Sequence, residues 1–239
     1  MEVLGAVALS SVVVVYNYAI NRWGPFHGIA YVPVNVAFIG VVALLAATTL
    51  GLSPPELGLR ADASDALLPL GLLALFAFGA FAVAFSSRGG LIADERVAGK
   101  RGGGLAWYVL VRIPIGTALV EETLFRGVLF AAWRDVGSSA VAAALYSSIA
   151  FGLWHIQPTV IGLRMNDPSA SRKKVRAAVI GAVIATTIAG VGLTWLRIWS
   201  GGLLAPIVLH AGVNSLWALA AVAASRRKRI ETVLEGDDR

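Results

Sequence analysis

Seven long apolar runs follow one another along this chain of 239 residues, and they leave very few folds open. Each run is close to the roughly 20 residues that an α-helix needs to cross the hydrocarbon core of a bilayer. The chain is 57% hydrophobic and 14% charged, and its mean hydropathy of +0.76 lies well above that of soluble domains. The runs cover residues 3–20, 29–52, 66–85, 105–133, 139–161, 177–196 and 203–224. We therefore predict an all-α fold, a polytopic transmembrane helix bundle of about seven to eight helices, with residues 1–239 forming a single integral membrane domain.

The fourth run is too long for one simple crossing, and Pro114 interrupts it. An interfacial helix over residues 105–112 followed by the true span would account for both features and would add an eighth helix. The first run follows Met1 and Glu2 without a positive charge, which favours a retained helix over a signal peptide. Substantial loops are predicted at 51–65, 86–104 and 162–176.

Lysine and arginine are distributed very unevenly between the loops. Because these residues collect on the cytoplasmic side of a membrane, the distribution predicts the orientation of the chain. With the N-terminus outside and the C-terminus in the cytoplasm, the outer loops carry only Arg60, Arg134 and Arg197. The cytoplasmic loops then carry fifteen such residues: Arg22, Arg88, Arg96, Lys100, Arg101, Arg164, Arg172, Lys173, Lys174, Arg176, Arg226, Arg227, Lys228, Arg229 and Arg239.

This bias, together with contact with the lipid bilayer, explains the net charge of +6 and the pI near 10.1. We therefore expect no nucleic-acid partner and a multi-pass protein of the cell (plasma) membrane. The absence of cysteine excludes disulfides, zinc ribbons and thiol nucleophiles.

The stretch GTALVEETLFRGVLF at 116–130 places three charged residues inside an apolar helix. A carboxylate near the bilayer centre costs about 3 kcal/mol even on a lenient insertion scale, so such residues usually have a function. Glu122 and Arg126 are spaced i, i+4 on one helical face and can neutralise each other. Glu121 is rotated by about 100° from Glu122 and has no such partner on its own helix.

Two further apolar runs carry polar groups in a comparable pattern. His155 follows Phe151 by four residues in AFGLWHIQ, and His210 precedes Asn214 by four residues in VLHAGVNSLW, so each pair shares a helical face. A helix bundle could bring these groups and Glu121 to one polar cavity. The third histidine, His27, lies in a short loop, and we assign it no role.

Two chemical schemes are open for these residues. A carboxylate beside an imidazole can activate water, while a second imidazole and a carboxamide can stabilise an oxyanion. Alternatively, Glu121, His155 and His210 could hold zinc, as the His₂Glu set of several metalloproteases does. Other intramembrane protease signatures are absent from the sequence: it has no HExxH, no GxSxG and no paired intramembrane aspartates.

The order EExxxR at 121–126, FxxxH at 151–155 and HxxxN at 210–214, on the fourth, fifth and seventh apolar runs, resembles the CPBP family of intramembrane proteases. This is the CAAX protease and bacteriocin-processing group, also called Abi, which includes the eukaryotic Ras-converting enzyme. The resemblance covers roughly residues 116–217, within a catalytic helical core that we delimit as 105–224. The stretch PPELGLR at 54–60 is also similar to the family.

The resemblance implies an endopeptidase that acts on membrane-associated proteins or peptides. It implies that Glu121 is the catalytic acid/base, that His155 works with it on water, and that His210 and Asn214 stabilise the oxyanion. Glu122 and Arg126 would hold the site together, and zinc remains open as a cofactor. A catalytically inactive bacteriocin-immunity or interaction protein on the same scaffold, or an ion-coupled transporter, would be compatible with the same buried polar residues.

Overall fold

The computed structural model describes residues 2–22, 28 and 30–237 of the chain, and the side chains of residues 3–21, 28 and 30–230. His27 lies outside the described residues. The described part of the chain is helical and contains no strand. Its long helices are α1 (Glu2–Arg22), α2 (Tyr31–Thr49), α3 (Leu67–Phe85), α4 (Gly102–Asp135), α5 (Ala140–Asn166), α6 (Arg172–Ser200) and α7 (Leu204–Asp237).

All seven long helices contain a stretch that is apolar and long enough to cross a membrane, which confirms the predicted helical polytopic bundle. Their outer faces are apolar as well, since large side chains such as Phe78 and Leu75 are mostly exposed on the protein surface. Such a surface suits lipid rather than water as the surrounding solvent. A short helix at Glu95–Ala98 lies between α3 and α4.

Helix α4 is the central helix of the bundle. Every residue from 120 to 132 is buried, so that this stretch is covered by protein on all sides. A helix that is mostly apolar around its whole circumference belongs in such a position. Glu121, Glu122 and Arg126 therefore lie in the core of the protein and not on its lipid-facing surface.

Together with the short helix at Glu95–Ala98, the described residues form eight α-helices, which agrees with the predicted seven to eight. The separate interfacial helix expected at 105–112 is not one of them, because this segment belongs to the continuous helix α4. Helix α4 continues past Pro114 because several of its turns are π-helical: Tyr108–Arg112, Pro114–Leu119 and Thr123–Leu129. The N–H of Ile113, for example, donates to the carbonyl of Tyr108, five residues earlier, at 3.0 Å. These wider turns accommodate a proline that lacks an N–H and would crowd a regular α-helix.

The predicted loop at 162–176 is shorter than expected, because α5 continues to Asn166 and α6 begins at Arg172. Capping explains the start of α6. The Ser171 hydroxyl accepts a hydrogen bond from the N–H of Lys174 at 3.3 Å, as expected for a residue that precedes a helix.

The loop at 54–60 covers the turn between α6 and α7. The Arg197 guanidinium at the end of α6 donates to the carbonyls of Pro55 and Glu56 at 3.2 and 3.0 Å. The N–H of Leu203 donates to the carbonyl of Gly58 at 3.0 Å, and Leu203 is buried. Helix α7 therefore begins inside the protein, beneath this loop, and not at its surface.

Helices α5 and α6 approach each other closely along small residues. A Cβ on Gly152 of α5 would overlap the Thr187 hydroxyl and would lie 2.8 Å from the Val183 carbonyl oxygen, both of α6. A Cβ on Gly190 of α6 would lie 3.0 Å from the Cβ of Ser148. Small residues at such contacts let helix backbones approach, which is how helices commonly associate in lipid.

We predict that Gly152→Ala destabilises the bundle by about 1–3 kcal/mol, the usual cost of forcing an atom into a packed interface. The matched control is Gly181→Ala on α6, because nothing lies within 4 Å of a Cβ at that position. Thermal unfolding of the purified protein should show a lower Tm for Gly152→Ala only. Equal Tm values for both variants would contradict the close α5–α6 contact.

Candidate active site

The ion pair predicted within α4 is present and completely buried. Arg126 Nη1 donates to Glu122 Oε1 at 3.0 Å, and neither side chain is exposed. The guanidinium also donates from Nη2 to the carbonyl of Gly190 at 3.1 Å and lies 4.1 Å from the centre of the Phe151 ring. Gly190 allows this approach because a side chain there would contact the guanidinium.

Glu122 has a second partner that the spacing within α4 could not indicate. His210 Nδ1 donates to Glu122 Oε1 at 2.7 Å, a distance typical of a strong, charge-assisted hydrogen bond. One carboxylate oxygen thus accepts from both Arg126 and His210, and this shared contact attaches α7 to α4. Nδ1 is used in this bond, so Nε2 is the atom that His210 presents to the rest of the site.

Glu121 is held by one of its oxygens only. Oε1 accepts a hydrogen bond from Trp154 Nε1 at 3.0 Å, whereas Oε2 is buried and has no hydrogen-bond partner among the described residues. Oε2 lies 3.7 Å from His210 Nε2 and 4.0 Å from His155 Nε2. The three groups that the motifs predict to converge therefore lie within the span of one bridging water molecule.

The imidazole of His155 is held by a hydrogen bond to its own helix. Its backbone N–H donates to the carbonyl of Gly152, three residues earlier, at 3.1 Å. The carbonyl of Phe151, four residues earlier, instead accepts from His155 Nδ1 at 2.8 Å. Because a carbonyl oxygen only accepts, Nδ1 is the donor in this bond, and Nε2 is the ring nitrogen that faces Glu121 Oε2.

The site is accessible mainly at His155. Its side chain is 23% exposed, compared with 8% for Glu121 and 8% for His210. The Phe151 ring packs edge-on against both imidazoles. The distances between ring centres are 4.6 Å to His155 and 5.8 Å to His210. The arrangement therefore consists of a buried carboxylate and two imidazoles, with an approach from the His155 side.

Asn214 lies one turn after His210 on the same face of α7 and is half-buried. No hydrogen bond joins its carboxamide to the described residues. The structure thus brings Glu121, Glu122, Arg126, Phe151, His155 and His210 together in one cluster, whereas Asn214 adjoins them through its position on α7 alone.

The chemistry of the donors would suit zinc, but their spacing does not. Ligands at 2.0–2.1 Å from a tetrahedral zinc ion are about 3.4 Å from each other, which is less than the 3.7 and 4.0 Å between Glu121 Oε2 and the two Nε2 atoms. Within the described part of the chain, no group of three or more histidines and acidic residues has the spacing of a metal site. As positioned, Glu121, His155 and His210 fit a water molecule better than a metal ion.

Sequence reasoning missed three contributors to the site. Trp154, next to His155 in the sequence, binds Glu121 through its indole N–H; Gly190 accepts from Arg126; and Asn17 of α1 donates to the Trp154 carbonyl at 2.6 Å. Of these three residues, only Trp154 could have been suspected from the sequence, because an indole N–H in an apolar helix needs a hydrogen-bond acceptor. The contacts of Gly190 and Asn17 depend on helices that are distant in sequence.

The fold and these contacts define a class, a polytopic helical membrane protein with a buried glutamate–histidine site. The family model described as "Type II CAAX prenyl endopeptidase Rce1-like" matches residues 103–216, just under half of the chain, and the matched segment includes Glu121, His155 and His210. The resemblance to the CPBP family is therefore confirmed for this segment, and it supports a CAAX-type intramembrane endopeptidase in general. No curated protein and no solved structure gave a significant match.

Replacing Arg126 should destabilise the protein strongly, because the buried Glu122 would lose its guanidinium partner. We expect Arg126→Met to cost about 3–5 kcal/mol, as is usual when one member of a buried ion pair is removed. The double variant Glu122→Gln/Arg126→Met removes both charges and should lose clearly less stability. Thermal unfolding of the two variants measures this difference, and equal losses would argue against charge burial as the cause.

Proposed function

We propose that this protein is an intramembrane endopeptidase that hydrolyses peptide bonds of membrane-associated proteins or peptides. The observation that carries the proposal is the unpartnered, buried Oε2 of Glu121, which faces His155 Nε2 at 4.0 Å and His210 Nε2 at 3.7 Å. A carboxylate and an imidazole lone pair that face each other at this distance can both accept hydrogen bonds from one water molecule. The water is then oriented by two bases.

In the proposed reaction, Glu121 removes a proton from this water while the oxygen of the water attacks the scissile carbonyl carbon. The peptide carbonyl becomes a tetrahedral oxyanion. Glu121 then transfers the same proton to the leaving amine nitrogen, so that one water molecule is consumed and one acid and one amine are formed. The role of His155 is to orient the water through Nε2, since its Nδ1 is engaged by the Phe151 carbonyl.

His210 is proposed to stabilise the oxyanion through Nε2–H, together with the carboxamide of Asn214. This role requires a protonated His210, and the local charges favour one. Glu121 and Glu122 contribute two negative charges and Arg126 one positive charge, so that an imidazolium makes the buried cluster neutral. A buried net charge is strongly unfavourable, which supports this assignment.

Glu121→Gln and His155→Asn should each lower peptide cleavage by at least about 100-fold, because each removes a group that orients or deprotonates water. Asn214→Ala should lower kcat by about 100-fold through the loss of an oxyanion donor. Purified protein would be assayed against a library of membrane-associated peptides, with and without a chelator. Thr186→Ala is the control, because its hydroxyl bonds only within α6, to the Ala182 and Val183 carbonyls.

Cleavage that persists in chelator would agree with water activation by Glu121, whereas its loss would favour a metal. Folded wild-type protein that cleaves none of the peptides would contradict the proposed activity and would favour the immunity or interaction function. Unchanged cleavage in Glu121→Gln would exclude this residue as the base.

We also propose that the N-terminus is outside and the C-terminus is in the cytoplasm. Contacts between basic segments support a common side for them: Arg226 Nη2 donates to the Lys100 carbonyl at 3.4 Å, and Arg229 lies 3.8 Å from Glu95. The start of α4 and the end of α7 are therefore at the same end of the bundle. By the positive-inside rule this end is cytoplasmic.

Reporter fusions would test this orientation. Green fluorescent protein fused after Arg239 should fluoresce, and alkaline phosphatase inserted after Ser138, between α4 and α5, should be active because that loop is outside. The control is the reciprocal pair, with alkaline phosphatase fused after Arg239 and green fluorescent protein inserted after Ser138. The opposite pattern would reverse the proposed orientation.

A further inference from the structure

The carbonyl of Trp154 cannot be satisfied by its own helix. In a continuous α-helix it would accept from the N–H of residue 158, but that residue is Pro158, which has no N–H. The proline ring would also crowd this carbonyl. Accordingly α5 is divided at His155 into the segments Ala140–Trp154 and Ile156–Asn166.

Helix α1 supplies the missing donor. Asn17 Nδ2 donates to the Trp154 carbonyl at 2.6 Å, and both residues are buried. Asn21 Nδ2 donates in turn to Asn17 Oδ1 at 2.7 Å, one turn further along α1. This second bond fixes which end of the Asn17 carboxamide faces α5, because the oxygen end is already occupied.

Two groups of the active site project from the turn that Asn17 holds. Trp154 donates from its indole to Glu121 Oε1 at 3.0 Å, and His155 presents Nε2 to Glu121 Oε2. The same break leaves the Phe151 carbonyl for His155 Nδ1. Both contacts of Glu121 with α5 thus depend on the position of one broken turn.

We propose that Asn17 is a positioning residue of the active site: it replaces the N–H that Pro158 lacks and thereby sets Trp154 and His155 against Glu121. The catalytic consequence rests on the proposed endopeptidase function. The effect on the position of His155 does not rest on that function, because it concerns only the tautomer and orientation of the imidazole. Asn17 lies outside residues 103–216, so this role extends the functional unit beyond the segment that matches the family.

The test compares Asn17→Ala with Tyr16→Phe in the full-length protein. Tyr16 is the matched control because its hydroxyl also makes one interhelical hydrogen bond from α1, to Asn35 Oδ1 at 2.7 Å, without contacting the site. We expect Asn17→Ala to lower kcat about ten- to a hundredfold with little change in KM, since misplaced catalytic groups act on the chemical step. Tyr16→Phe should keep kcat within about twofold.

A second readout does not require activity. Nitrogen-15 NMR of histidine-labelled protein distinguishes imidazoles protonated at Nδ1 from those protonated at Nε2, and His155→Asn assigns the signal. Asn17→Ala should shift the His155 signals away from the Nδ1-protonated pattern, and Tyr16→Phe should not. Unchanged His155 signals in Asn17→Ala would overturn the proposal.

Pro158→Ala provides a rescue experiment, because it restores an N–H at the position where the Trp154 carbonyl needs one. Asn17→Ala should therefore lower Tm in the wild-type background and much less in the Pro158→Ala background. If Asn17→Ala lowered Tm equally in both backgrounds, the proposal that Asn17 replaces the backbone N–H missing at Pro158 would be overturned. If the wild type cleaves no peptide, the endopeptidase function fails, while the NMR and Tm measurements still decide the role of Asn17.

Discussion

The burial of two adjacent carboxylates in a membrane protein is the constraint on which the rest of this structure depends. Glu121 and Glu122 follow each other in the central helix, so they point in different directions and need separate partners. Glu122 is neutralised by Arg126 and His210, which connects α4 to α7. Glu121 is held by Trp154 of α5. A low-dielectric interior makes each unpaired charge costly, and the surrounding helices are positioned by these contacts.

The two carboxylates differ in what surrounds them, although each keeps a buried Oε2 without a hydrogen-bond partner among the described residues. Glu122 shares its Oε1 between a guanidinium and an imidazole. The Oε2 of Glu121 lies opposite two imidazole nitrogens. Neighbouring groups of the same type thus acquire separate roles through their environments alone. A zinc ion would require closer donors than those present, which is why the proposed chemistry runs through Glu121 and water.

Irregular helix geometry is concentrated around this site. The π-helical turns of α4 lie on both sides of Glu121 and Glu122, and α5 is broken at His155. Each irregularity releases or redirects a backbone group, and in lipid each such group needs a partner within the protein. Asn17 meets that need for the Trp154 carbonyl, and His155 Nδ1 meets it for the Phe151 carbonyl. Deviations from the regular helix therefore position the side chains of the candidate site while leaving these two carbonyl groups hydrogen-bonded.

The sequence by itself determined the helical membrane fold, the seven spans and the set of polar residues at the site, because apolar run length and i, i+4 spacing are local properties. It also predicted the Glu122–Arg126 pair, which lies within one helix. It could not predict that Pro114 leaves α4 unbroken, since π-helical turns have no clear sequence signal. The contacts of His210 with Glu122, Trp154 with Glu121 and Asn17 with Trp154 were decided only by the tertiary structure, because each joins helices whose relative position depends on packing.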